Sequence, residues 1–399
     1  MDSQTKKNNP FYFNGKVGEY FGIWIVNVLL TILTLGIYSA WAKVRNKQYF
    51  YGNTELADES FEYLAKPLQI LVGRIIAVVL LIAWATLPAV SEAASVILGL
   101  AFVALMPVLV VRNLRFDCRV TRYRNVRFNF SGSYGGAYMA LFVLPVLYVL
   151  GFMLVVSAVI FVSSLISPVV AGIVGVVVVG LGATYMYALM TTQMSRYVLN
   201  GYQWGELQFI AEIDVNAVFK VFLKVAAIGL LATLVLMLAL AGIAFAAFNA
   251  DFSQLGGVLM QLSQGGLQDA LSSQTVILGL LAAVYLSFFL LGWFVTAYLQ
   301  ACLRNYQFGQ TELDGQLYMN SEVKPLAFLG VMLSNMLICV FSLGLAIPLA
   351  KIRMAKFIAD ATSVTGDITH IATQNQVSDT KAAIADEVAD AFSIEIGVI

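Results

Sequence analysis

Residues 128–195 read FNFSGSYGGAYMALFVLPVLYVLGFMLVVSAVIFVSSLISPVVAGIVGVVVVGLGATYMYALMTTQMS, 68 positions without a Lys or Arg. A helix needs roughly 20 apolar residues to cross a hydrocarbon layer about 30 Å thick. This stretch therefore holds two crossings and returns the chain to the side it left. Four further basic-free windows, 17–42, 75–111, 225–303 and 325–350, span 26, 37, 79 and 26 residues. If each long window doubles back, the cations stay on one face, as the positive-inside bias requires.

Composition supports the same class. Apolar residues make up 60% of the chain and charged residues 12%, and mean hydropathy is +0.83. A soluble globule carries about a quarter charged residues. The formal net charge is zero, but the charges are segregated along the chain. Met1–Gly15 is polar, with Lys6 and Lys7 and no apolar run or small-residue cleavage site, so no removable signal peptide is expected. Cys118, Cys302 and Cys339 have neither metal-binding nor disulfide spacing and are read as reduced, incidental thiols.

A repeated pattern frames the windows. Each is preceded or opened by an aromatic alternation or its degenerate copy: Phe11-Tyr12-Phe13, Phe61-Glu62-Tyr63, Phe128-Asn129-Phe130, Leu207-Gln208-Phe209 and Leu317-Tyr318-Met319. Each closes on an arginine: Arg45, Arg112, Arg196, Arg304 and Arg353, with Asn following in three cases. Units one and five match at a constant offset of 308: Asn27 with Asn335, Leu35-Gly36 with Leu343-Gly344, Thr34 with Ser342, Thr54 with Thr362. Five units of one construction follow. The segments between them alternate apolar and polar residues and contain Asn200-Gly201 and Asp314-Gly315. They read as β-hairpins forming a small layer beneath the membrane. The competing view is unpaired juxtamembrane loops.

Unit length predicts topology. Units two, three and four accommodate helical hairpins with outer turns near Pro88–Ser91, Ser163–Pro168 and Asn249–Thr275. Units one and five, with 26 apolar residues each, fit one crossing or a re-entrant pair breaking at the Leu-Gly steps. A single crossing would put Lys6, Lys7, Lys16 and the tail lysines outside, so the re-entrant form is favoured. That gives six crossings plus two half-hairpins; the alternative is eight crossings. From Asp360 the composition turns soluble and acidic, with His370 and an Ile384/Val388/Phe392 helical stripe. The tail either docks on the β-layer or stays free.

The block Thr34-Leu35-Gly36-Ile37-Tyr38-Ser39-Ala40-Trp41-Ala42-Lys43-Val44-Arg45, the Phe-x-Phe-x-Gly strand before it and the tail Asp386-Glu387-Val388-Ala389-Asp390-Ala391-Phe392 resemble the YjgN family of bacterial inner-membrane proteins. The resemblance covers about Phe11 to the end. Ala40 stands where that block often carries Pro. The resemblance implies a multi-pass cytoplasmic-membrane protein of a Gram-negative cell and brings no activity or catalytic residues with it.

Catalytic signatures are missing: no Gly-Lys-Ser/Thr phosphate loop, no Gly-x-Ser-x-Gly elbow and one histidine. Neither an enzyme activity nor a cofactor, a metal or a nucleic-acid partner is expected. Arg112, Arg115, Arg119, Arg122, Arg124 and Arg127 lie beside a membrane helix, interleaved with Phe116 and Tyr123. That pattern points to anionic headgroups. Intramembrane polarity is the remaining clue. Asn27 and Asn335, with Thr34 and Ser342, occupy equivalent places in broken helices, as in transporter midplane sites. Interhelical bonding is the plain alternative.

The expected fold is thus an all-α multi-pass membrane protein: helical-hairpin repeats, two re-entrant half-hairpins and short cytosolic β-hairpins. Residues 1–359 form the membrane domain, in units of about 11–50, 61–113, 128–197, 207–305 and 317–358; residues 360–399 form a cytosolic acidic tail. The expected location is the inner membrane with both termini cytoplasmic, and the expected partners are the bilayer and a small solute. The expected function is a small-solute channel or transporter. The rival is a non-conducting scaffold or lipid-interacting protein that recruits a cytosolic partner.

Overall fold

The computed structural model describes residues 7–89, 91–247, 260, 275–368 and 371. The chain opens with β1 (Asn8–Phe13), α1 (Val17–Leu33), α2 (Ser39–Gly52) and β2 (Thr54–Leu56). Next come β3 (Glu59–Tyr63), α3 (Pro67–Thr86), α4 (Glu92–Arg119) and β4 (Thr121–Tyr123). Then follow β5 (Val126–Phe130), α5 (Tyr134–Tyr138), a π-helical turn over Met139–Val143, α6 (Leu144–Ser164), α7 (Pro168–Leu199) and β6 (Tyr202–Trp204). The fourth set is β7 (Leu207–Ala211), α8 (Val215–Ala247), α9 (Thr275–Gly309) and β8 (Thr311–Leu313). The last is β9 (Leu317–Ser321), α10 (Pro325–Phe341), α11 (Ile347–Asp360) and β10 (Thr362–Thr365).

All strand pairs are antiparallel, and the ten strands close a barrel in the order β1-β10-β9-β8-β7-β6-β5-β4-β3-β2. This overturns the all-α class and its separate hairpins. A free two-stranded ribbon is marginal in water and exposes two unpaired edges. Here each helix pair returns the chain beside the strand it left. β1 therefore meets β2, and β3 meets β4, while β10 meets β1. Closure leaves no edge.

The same backbone bond locks every unit. The first residue after the entry strand donates its N–H to the carbonyl just before the exit strand. The pairs are Asn14–Asn53 (2.9 Å), Leu64–Val120 (2.7 Å), Ser131–Gly201 (2.8 Å), Glu212–Gln310 (3.1 Å) and Glu322–Ala361 (2.8 Å). Four exit strands begin with a threonine whose hydroxyl donates back four residues, to Phe50, Asp117, Gln307 and Ile358 carbonyls at 2.6 to 2.8 Å. Those carbonyls lie in the last turns of their helices, where the i+4 ladder runs out.

All helices leave one end of the barrel, and tight turns close the other. Ala57 and Asp58 have φ of 49° and 64°, Arg124 and Asn125 49° and 64°, Asp314 and Gly315 51° and 67°. Two successive left-handed residues match the right-handed twist of the flanking strands. Asn200-Gly201 is not such a turn. Asn200 caps α7, and a Cβ on Gly201 would come within 2.3 Å of the Phe130 ring. The β6–β7 turn lies at Gly205 instead, with φ of 59°.

Apolar side chains fill the barrel. Leu56, Tyr123, Val126, Trp204, Leu313, Leu317 and Val364 form its buried core, with Phe11, Phe61, Phe128, Phe209 and Met319 against them. Beyond β10, Ile368 is 1% exposed, packs on this core, and accepts a bond at its carbonyl from the Arg124 guanidinium. β10 and Ile368 thus build part of the barrel from residues read as acidic tail. His370 and the Ile384/Val388/Phe392 stripe lie outside the described residues, as does the turn expected at 249–275 apart from residues 260 and 275.

Helices of successive units pack around a ring: α2 on α3, α4 on α5, α7 on α8, α9 on α10 and α11 on α1. Among the described residues six helices are long and apolar enough to cross a membrane, all within the second, third and fourth units. The α1 and α10 helices are apolar but have 17 residues each. At about 1.5 Å per residue they fall short of a 30 Å hydrocarbon layer.

Tyr123 donates to the Leu56 carbonyl at 2.6 Å inside the barrel. Burial pushes its phenol up to about 12 from 10.0; Arg124 opposes the shift, and Glu59 and Asp58 add to it. The folded state therefore holds this proton more tightly than the unfolded chain. That stabilisation is complete below pH 10.0 and is lost as pH rises towards about 12. Tyr123→Phe should lower stability near neutrality by about 1 kcal/mol and flatten the alkaline decline. Unfolding curves at several pH values check both effects.

Candidate functional site

The first and last helix pairs break at their Leu-Gly steps. Leu35 and Leu343 adopt φ of 50° and 51°, and the following glycines 93° and 87°. The Gly36 N–H donates to the Thr31 carbonyl and the Leu35 N–H to Ile32; Gly344 and Leu343 do the same with Cys339 and Val340. This double bond pattern ends a helix while satisfying its last carbonyls. Thr34 and Ser342 complete the turns. Their hydroxyls donate to Leu30 and Cys339 carbonyls and accept from the Tyr38 and Ala346 N–H groups, at 2.9 and 3.0 Å. Leu35 and Leu343 at the tips are 95% and 93% exposed. A left-handed leucine costs about 1–2 kcal/mol. An apolar tip with its backbone satisfied is what hydrocarbon tolerates.

Asn27 and Asn335 are buried, each facing the second helix of its own pair. Asn27 donates to the Asn46 side chain at 3.1 Å and accepts from Arg45 at 3.4 Å; Arg45 also donates to the Tyr38 hydroxyl at 3.1 Å. Asn335 donates to the Ala350 carbonyl at 3.1 Å, and beside it Arg353 donates to Ser334. The two asparagines therefore share a task with different partners: each ties an outgoing helix to its return. The Asn335 Oδ1 atom is buried without a hydrogen-bond partner, and its residue lines a cleft of about 340 Å³ between α9, α10 and α11.

The six arginines divide. Arg112, Arg115 and Arg119 lie at the barrel end of α4; Arg122, Arg124 and Arg127 lie on the β4–β5 hairpin, beyond the helices. Arg115 donates to the Gly132 carbonyl at 2.9 Å and to the Tyr134 hydroxyl. Arg122 pairs with Glu62 and Asn125, and Arg127 is exposed. Arg115 is one of several side chains that reach forward to the next unit's strand–helix link. Gln48 reaches Tyr63, Arg196 reaches Ile213, and Asn305 reaches Val323, at 3.5, 2.7 and 2.9 Å. Of the closing arginines and their Asn neighbours marked in the sequence, Arg196 and Asn305 are latches; Gln48 and Arg115 carried no such signal. A second bridge missed in the sequence joins Gln307 to Ser195 at 2.8 Å, buried between α9 and α7. Among the described residues no three His, Cys, Asp or Glu side chains group to hold a metal.

The family described as "Bacterial protein of unknown function (DUF898)" matches residues 8–391. The chain is 30% identical to the "Inner membrane protein YjgN" of Salmonella typhimurium (strain LT2) over 92% of its length and 91% of the relative's. It is 27% identical to the protein of that name from Escherichia coli (strain K12), over 90% and 89%. No solved structure matches it. The chain belongs to the DUF898 family.

Replacing Asn27 or Asn335 with Leu should each lower unfolding stability by about 1 kcal/mol, the usual size of a polar interhelical contact. Reversible unfolding in mixed micelles measures the loss. A larger loss is expected at Asn27, where Arg45 would be left short of an acceptor.

Proposed function

We propose that this member of the family is an integral inner-membrane protein that conducts no solute and holds lipid around its helices above a cytosolic barrel scaffold. We read the five strand–helix–helix–strand units as an internal repeat, with barrel and both termini on the cytoplasmic side. Most cations among the described residues lie at the barrel end of a helix or on the barrel, with Lys43, Arg45, Arg74, Lys351 and Arg353 further along their helices; the positive-inside bias favours that side as cytoplasmic.

One observation carries the reading. The α6–α7 pair meets along one seam, where Gly182 lies against Phe152 and Gly175 against Ile160. At 100° per residue, Val146 and Met153 flank that seam on one side, Val155 and Val162 on the other. All four are apolar and 46 to 60% exposed. Ser157 and Tyr148 add one polar side chain to each flank, too few for the continuous polar wall of a water-filled lumen, and hydrocarbon suits the rest. The packed barrel core adds a second obstacle below. Asn27 and Asn335, turned into their own pairs, supply no lining to a shared path. The barrel's outer wall, with Glu62, Arg122, Asn129 and Gln203 on it, offers a cytosolic partner a polar surface.

Proteoliposomes containing the protein should show no flux of ions, sugars or amino acids above protein-free vesicles. Purified protein should retain phospholipids through delipidating washes, counted by native mass spectrometry. Saturable flux that disappears in the Asn27→Leu/Asn335→Leu double variant would reinstate the solute path.

A further inference from the structure

The cleft beside Asn335 collects sulfur. Met332, Met336 and Cys339 fall at i, i+4 and i+7 on α10, one face of the helix, and Met354 faces them from α11. Trp293 of α9 forms a third wall, and the unpartnered Oδ1 belongs to Asn335 on the same face. We propose that this cleft binds one soft monovalent cation, Cu(I) or Ag(I).

Three arguments converge on that class. Thioether and thiolate sulfur select Cu(I)-type ions over hard cations, which prefer oxygen. Charge decides the valence: Cys339 binds as thiolate, its proton passing to the bulk, so a monovalent ion leaves the site neutral. A divalent ion would leave a net positive charge among apolar helices, where an unpaired charge is costly. Finally, the Asn335 carbonyl oxygen, on a residue that lines the cleft, accepts no hydrogen bond, and an indole ring such as that of Trp293 attracts cations to its face. Met–Met–Cys spacing on an apolar stretch looks like ordinary core packing until α11 and α9 bring Met354 and Trp293 to it. This inference is independent of the lipid-holding reading, since a scaffold and a conductor could equally carry the site.

The experiment is an anaerobic titration of the full-length protein in nanodiscs with Ag(I), and with Cu(I) supplied from a chromogenic chelator. The background carries Cys118→Ala and Cys302→Ala, which removes the other thiols. One ion per chain is expected, with quenching of Trp293 fluorescence that Trp293→Phe abolishes. Cys339→Ala should weaken binding at least about tenfold, in line with losses from disturbing a metal site. The Met332→Leu/Met336→Leu/Met354→Leu variant should do the same. These changes nearly conserve volume, so the triple variant stays informative if Cys339→Ala fails to fold. Zn(II) should bind far more weakly. No uptake, equal uptake by the triple variant, or Zn(II) binding as tight as Ag(I) would each overturn the site.

Discussion

Closure of the barrel is the constraint on which the rest depends. Its strands are three to six residues long, and an isolated ribbon of that length cannot hold itself together in water. Each strand survives because both neighbours satisfy its backbone, and those neighbours are adjacent only because each helix pair returns to its starting level. The helices depend on the strands in turn. The five unit-locking bonds set the spacing of each helix pair at its base, and the forward latches set the angle to the next. Membrane and soluble layers form one mechanical object.

Much of this was legible in the sequence. The basic-free windows of units two to four marked the apolar middles of the six long helices, whose ends run past them, because hydrocarbon thickness imposes a length that composition reveals. All five alternations, aromatic or degenerate, became strands, since an apolar residue at every second position is a local signal. Closure was not legible. The pairing of Asn8 with Thr365 joins residues more than 350 apart, and nothing local distinguishes a strand that closes a barrel from one that ends a hairpin. β10 was hidden for a further reason. Thr362-Ser363-Val364-Thr365 has no aromatic residue and sits at the edge of an acidic segment, although its match to Thr54 had already marked it. Asn200-Gly201 misled in the opposite direction, since a turn dipeptide also suits a helix end packed under a phenyl ring.

The candidate site divides the same way. The offset between units one and five picked out Asn27, Asn335, Thr34 and Ser342 as equivalent, and the structure gives each pair equivalent work. Their partners differ, a side chain for Asn27 and a carbonyl for Asn335, and no spacing in the sequence encodes that difference. The arginine run looked like one basic patch because it is contiguous. The change from helix to hairpin at Val120 splits it between the membrane base and the barrel wall.

The seam between β1 and β10 has a consequence for biosynthesis. During translation the helices enter the bilayer in order, and the strands accumulate beneath them as an incomplete fence. Until Thr365 has cleared the ribosome, the outer edge of β1 has no mate, and the aromatic lining stands open to water. The nascent protein therefore presents a sticky, strand-accepting crescent for most of its synthesis. Its last-made strand acts as the clasp, so a ribosome stalled shortly before that point would leave a membrane-anchored template for aggregation.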